Sequence, residues 1–225
     1  MSRHKRLKVA STILQTGIVP VFYHPDVETT IKVINACYDG GIRAFEFTNR
    51  GEFAHEVFGG VSRHIGTELP DMMVGIGSVF DAGTASLYLQ LGADFVVSPV
   101  MNPEMARVCN RRKVMWAPGC GSLTEISAAE ELGAEIVKMF PATQVGGPAF
   151  IKGVLGPSPW SLIMPTGGVK PNEDNLKSWF EAGAACVGMG SQLFQKSWIE
   201  AGEFSKITET AKVATTLAKQ YSKHM

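Results

Sequence analysis

Thirteen lysines occur in the chain, and most lie in helix-like or loop stretches where a solvated surface position accounts for them. Lys138 is different. It lies within Glu135-Ile-Val-Lys-Met-Phe-Pro-Ala142, near the end of a strand-like run, between Val137 and Met139. Burying an ammonium among apolar groups disfavours its charged form, and a neutral amine is what a Schiff-base nucleophile requires. The plainer reading of such a lysine is a structural pair with a buried carboxylate. Glu46 is the matching carboxylate: it stands in Ile42-Arg-Ala-Phe-Glu-Phe-Thr-Asn-Arg50, between two phenylalanines. Side chains alternate along a strand, so Glu46, Thr48 and Arg50 share one face. A carboxylate inside a core is costly unless partnered; a lysine or Arg50 can be that partner. The chemical alternative is a general acid/base beside an amine nucleophile.

Glycines supply a third element. Pro165-Thr-Gly-Gly-Val169 and Gly188-Met-Gly-Ser-Gln-Leu193 each end a strand-like run. Glycine lets backbone N–H groups approach an anion, and a helix N-terminus adds partial positive charge. Gly146-Gly-Pro148 is a further candidate for the same pocket. His24, His55 and His64 have no carboxylate–histidine set around them and read as surface or structural residues, so no metal and no cofactor is expected.

Elements that would position these groups alternate from end to end. The expected strands are 18–23, 42–48, 72–79, 94–99, 114–118, 135–140, 162–166 and 186–190. Amphipathic helices are expected at 26–39, 84–91, 123–132 and 173–182, with 203–222 as the last, and Asp26, Ser122 and Asn172 stand as N-caps. Such alternation implies parallel strands joined by right-handed crossovers. Gly41, Gly92, Gly133 and Gly183 each end a helix before every second strand, 51, 41 and 50 residues apart, about two βα units. Eight units in 225 residues suit a single (β/α)8 TIM barrel spanning 1–225, with an open doubly wound sheet as the alternative. In a barrel, the active site lies at the carboxyl ends of the strands, and the loops after strands seven and eight recurrently bind phosphate.

Composition narrows the partners. Twenty-one Lys and Arg against twenty-one Asp and Glu give zero formal charge. No basic surplus supports nucleic-acid or acidic-lipid binding. The apolar runs are strand-sized, so neither a membrane span nor a signal peptide is expected. Cys37, Cys109, Cys120 and Cys186 are scattered without a CxxC spacing, the pattern of a reduced, cytoplasmic protein.

The motifs Glu46-x-Thr-x-Arg50, Val74-Gly-x-Gly-Ser-Val79, Val96-Val-Ser-Pro99, Pro118-Gly, Lys138-x-Phe-Pro-Ala142, Pro165-Thr-Gly-Gly-Val169 and Gly190-Ser191 occur in order. Along nearly its whole length the sequence resembles the 2-keto-3-deoxy-6-phosphogluconate (KDPG) / 4-hydroxy-2-oxoglutarate (KHG) aldolase family. That resemblance implies a class I, metal-independent aldolase on a (β/α)8 barrel, commonly a homotrimer, cleaving a small keto acid to pyruvate and an aldehyde. It implies that Lys138 is the Schiff-base lysine and Glu46 the proton-transfer residue. Arg50, Ser78 and Pro99 would border the pyruvyl carboxylate; Thr166, Gly167, Gly168, Gly190 and Ser191 would match the phosphate end. The chain departs from the family pattern in three places. Thr48-Asn-Arg-Gly51 stands for Thr-Leu-Arg-Thr, Val100 stands for the Gly after Pro99, and Pro118-Gly-Cys-Gly-Ser-Leu-Thr-Glu125 stands for Pro-Gly-x-x-Thr-x-x-Glu. These leave the lysine and glutamate untouched and fall at the pocket mouth, as in an aldolase for a different 2-keto-3-deoxy acid. A phosphosugar epimerase or isomerase, and a silent phosphosugar-binding protein, are the rival classes.

Overall fold

The computed structural model describes residues 2–224. Nine short strands follow one another: β1 Ile18–Phe22, β2 Ala44–Thr48, β3 Met73–Gly77, β4 Phe95–Val97, β5 Met115–Ala117, β6 Gly119–Cys120, β7 Val137–Met139, β8 Ile163–Pro165 and β9 Val187–Met189. All pairings are parallel. They form a curled six-stranded sheet in the order β5-β4-β3-β2-β1-β9 and a three-stranded sheet β6-β7-β8. Each expected strand is found, trimmed at its ends. One is split: the run 114–118 becomes β5, after which the chain pauses at Pro118 and resumes as β6. Proline has no N–H to give a ladder, yet Pro118 O still accepts from Lys138 N at 2.8 Å. The far edges also meet, through a parallel bridge between Thr166 and Gly188 and a 2.9 Å bond from Ala185 N to Ile163 O.

Helices flank and link the strands: α1 Arg6–Thr16, α2 Val27–Asp39, α3 Ala54–Glu68, α4 Ala82–Gln90, α5 Pro103–Arg112, α6 Leu123–Glu131, α7 Ala142–Val145, α8 Gly147–Leu155, α9 Glu173–Glu181, α10 Lys196–Glu200 and α11 Phe204–Tyr221. Asp26, Ser122 and Asn172 cap α2, α6 and α9 through their side chains, as expected. Gly41, Gly92, Gly133 and Gly183 all have positive φ, between 86° and 103°. At each, the following N–H reaches back to close the last helical turn, as from Ala134 N to Ala129 O at 3.0 Å.

The N-terminal α1 was not among the expected helices. Its signals are weak: Lys5 makes no side-chain cap and the first turn holds no acid. Tertiary burial supplies what these lack. Val9, Ala10 and Ile13 pack on the inward-facing residues Val19, Ala44, Met73, Phe95, Met115, Ile136, Met164 and Cys186, forming an inner core. Residues of opposite parity, such as Phe45, Phe47, Ile76, Val96 and Trp116, pack outward against the helices. This period of two decides the site. Two residues beyond Ala44, Ile136 and Met164, on the same inner face, come Glu46, Lys138 and Thr166.

Candidate active site

Lys138 and Glu46 meet inside the curl of the sheets. Lys138 is 4% exposed and Glu46 1%. Nζ stands 3.5 Å from Glu46 Oε1 and 5.2 Å from the centre of the Phe140 ring. The separation is long for a hydrogen bond, and one carboxylate oxygen stays free: Oε2 is buried without a donor. A buried unpaired acceptor costs about 1–3 kcal/mol, more when charged. That oxygen keeps its capacity to accept a hydrogen bond. Room for the carboxylate comes from β3, where Gly77 has no side chain; a Cβ there would lie 1.9 Å from Oε1.

Arg50 and Ser78 come together. Arg50 Nε donates to Ser78 Oγ at 3.1 Å, with Ser78 in the left-handed region (φ 57°) and Arg50 exposed at the rim. Pro99 packs on Gly119, the strand neighbour of Lys138. At the other end, Thr166 is buried with its hydroxyl unpaired, and Gly188 leaves it space, since a Cβ there would stand 2.2 Å from Oγ1. Gly167 and Gly168 have φ of 102° and 83°. Their carbonyls are occupied, by Thr143 Oγ1 at 3.1 Å and Asn175 Nδ2 at 3.2 Å. Among the described residues, the N–H groups of Gly168, Gly190 and Ser191 find no protein acceptor.

One expectation about this end needs correction. Ser191 does not stand at a helix N-terminus: it lies exposed in a turn closed by Leu193 N to Gly190 O, and the next helix, α10, begins only at Lys196. The segment after β7 reaches the glycine loop through Thr143, against which a Cβ on Gly168 would clash at 1.8 Å; Gly146 sits between α7 and α8. Nothing in the spacing of Thr143 marked it.

A cavity of about 450 Å³ opens over this rim, with Val21, Tyr23, His24, Arg50, Ser191 and Lys196 on its walls. A second, of about 470 Å³, lies at the opposite ends of the strands, beside Lys8, Arg43 and Asp71, and contains none of these groups. Among the described residues, no three His, Cys, Asp or Glu side chains cluster as metal ligands would, and no helix is long and apolar enough to cross a membrane.

Parallel strands that carry a buried amine and carboxylate on their inner face define the class first: an α/β protein with a polar pair inside its sheets. The comparisons with known proteins are narrower. The model of the family described as KDPG and KHG aldolase matches residues 9–210. A 2-dehydro-3-deoxy-phosphogluconate aldolase of Pseudoalteromonas atlantica is 33% identical, over 95% of this chain and 97% of its own. A KHG/KDPG aldolase of Escherichia coli is 30% identical, over 93% and 96%. The crystal structure of a KDPG aldolase from Legionella pneumophila, with pyruvate captured as a covalent carbinolamine intermediate, superposes with a TM-score of 0.82 at 26% identity, covering 92% of this chain and 97% of that one. The chain belongs to the KDPG and KHG aldolase family, and is an aldolase, a lyase.

Proposed function

We propose that this enzyme is a class I aldolase in which Lys138 forms a Schiff base with a 2-keto-3-deoxy acid or 4-hydroxy-2-oxoglutarate, releasing pyruvate. The observation that carries the reading is the buried pair Lys138–Glu46, 3.5 Å apart with one carboxylate oxygen free. Lys138 Nζ, as the free amine, adds to the C2 ketone, and the carbinolamine loses water to give an iminium. The C3–C4 bond then breaks. Its electron pair passes into a C2–C3 enamine while the proton of the C4 hydroxyl leaves to Glu46, directly or through one water, and C4 becomes the aldehyde. Protonation at C3 and hydrolysis of the iminium return pyruvate and the amine. The carbinolamine captured in the Legionella relative supports the same first step here.

Arg50, with Ser78 and Pro99, holds the carboxylate in this reading. Thr166, Gly167, Gly168, Gly190 and Ser191 take the distal phosphate, supported by the backbone N–H groups of Gly168, Gly190 and Ser191, which among the described residues bond no protein acceptor. Glyceraldehyde 3-phosphate is then the aldehyde from KDPG, and glyoxylate that from KHG. The two sheets are read as one closed (β/α)8 barrel in a single domain, with β5 and β6 as one strand broken at Pro118. The links from Lys138 to Pro118 and from Thr166 to Gly188 support closure. Assembly as a homotrimer is favoured by exposed Phe53, Phe80 and Val100 on the loops after β2, β3 and β4 and by Leu123 at the start of α6, since apolar groups gathered at one end suit a covered face. Four free, buried cysteines suit the reducing cytoplasm.

Borohydride reduction in the presence of pyruvate tests the central step. Mass spectrometry is expected to place the adduct on Lys138, and Lys138→Arg, which keeps its charge and cannot form the imine, is expected to remove both adduct and turnover. An adduct on Lys152 or Lys170 overturns the assignment.

A further inference from the structure

The segment between β2 and α3 carries Arg50, and its two neighbours, Asn49 and Gly51, are where the chain leaves the family pattern. Each of those neighbours meets a tyrosine. Tyr88, on α4 and 1% exposed, donates its hydroxyl to Asn49 Oδ1 at 2.7 Å. A leucine at position 49 would leave that buried phenol without this acceptor. Burial pushes the Tyr88 phenol up to about 12, so it remains a donor far into alkaline pH. Tyr23, just past β1, lies across Gly51. A Cβ on residue 51 would stand 1.8 Å from the Tyr23 hydroxyl oxygen and 2.4 Å from its Cζ, so a larger residue there would displace the ring. The ring is backed by Phe47, with centroids 5.6 Å apart. The backbone between is tied by Asn49 N to Gly77 O at 2.9 Å and Arg50 N to Thr48 O at 3.0 Å.

Arg50 itself is exposed, and its one side-chain hydrogen bond among the described residues is that to Ser78. A long side chain with a single anchor has many rotamers to lose on binding. Its aim therefore depends on the backbone that carries it. We infer that Tyr23 and Tyr88 are positioning residues that clamp the Asn49–Gly51 segment from two different elements and so aim Arg50 at the substrate carboxylate. Neither tyrosine acts on the reacting atoms. Asn49 and Gly51 are then the counterparts of the two tyrosines, and the pairs Asn49–Tyr88 and Gly51–Tyr23 replace whatever holds this segment in relatives with larger apolar or hydroxyl residues there. The inference rests on the reading of Arg50 as the carboxylate ligand.

A mutant cycle tests it, with pyruvate as the probe. Half-saturation of borohydride trapping and the KM and kcat of KDPG and KHG cleavage are measured for Tyr88→Phe, Gly51→Ala, Arg50→Met and the two doubles with Arg50→Met, with thermal melting alongside. Tyr88→Phe and Gly51→Ala are each expected to raise the pyruvate half-saturation and KM on the order of tenfold, with kcat within about twofold. Neither is expected to raise them further in the Arg50→Met background, because a clamp has nothing left to aim. Effects that persist in full in that background, or a Tyr88→Phe enzyme with unchanged half-saturation, overturn the clamp. If Gly51→Ala does not fold, Tyr88→Phe, which keeps the buried ring, decides alone. Unchanged pyruvate binding in Arg50→Met alone would instead remove the carboxylate role of Arg50, and the clamp with it.

Discussion

Gly77 leaves open the space that the Glu46 carboxylate fills: a Cβ on β3 at that place would lie 1.9 Å from Oε1 and 2.6 Å from the carboxyl carbon. Both atoms belong to the buried Glu46 carboxyl. Gly77→Ala is therefore expected to displace the carboxylate from Lys138 and to cut turnover by about 10²-fold, the scale of a misplaced catalytic group. A folded Gly77→Ala enzyme of wild-type activity would show that the 3.5 Å pair is not needed for the chemistry.

Glu46→Gln preserves shape and cannot exchange the proton. Pyruvate trapping is expected to survive, while cleavage slows by roughly 10²–10⁴-fold, the usual size of a lost acid/base group. Activity within a few-fold of wild type makes Glu46 a structural partner of Lys138 and sends the search for a proton shuttle elsewhere.

Ser191→Ala probes the distal end. The hydroxyl lies exposed in a turn, without a helix dipole behind it, so the low end of the range for hydrogen bonds to charged groups applies, about 1.5 kcal/mol. Cleavage of a phosphorylated substrate is expected to weaken by about tenfold in kcat/KM, and that of unphosphorylated KHG to stay unchanged. Equal small losses for both substrates would remove phosphate from this loop.

The thiols are expected to be inert in the folded enzyme. Burial raises Cys109 and Cys120 to about 12, and Cys37 and Cys186 higher still. At pH 8 the thiolate fraction of the first two is only about one in ten thousand, and the thiolate is the reactive form. Iodoacetamide is expected to modify none of the four until denaturant is added, with no loss of activity. Rapid labelling of one cysteine in native buffer would mean that its helix or strand opens locally.

Much of the site was legible before any coordinates, because local rules decide it. Alternation along a strand puts Glu46 two residues past Ala44 and Lys138 two past Ile136, on the same inner face. A capping side chain or a left-handed glycine acts within one helical turn, so Asp26, Ser122, Asn172 and the four glycines announce their helix ends in sequence alone. What depends on residues distant in the chain was not legible. α1 has no strong signal of its own and exists because Val9 and Ile13 find the inner core. Ser191 lost its expected helix because turn geometry, rather than residue type, settles where α10 begins. The Lys138–Glu46 distance, the hydrogen bond from Arg50 to Ser78 and the seating of Tyr23 over Gly51 join residues 92, 28 and 28 positions apart. Only the curl of the sheets brings such residues within a few ångströms, and no periodicity encodes a separation that tertiary packing alone creates.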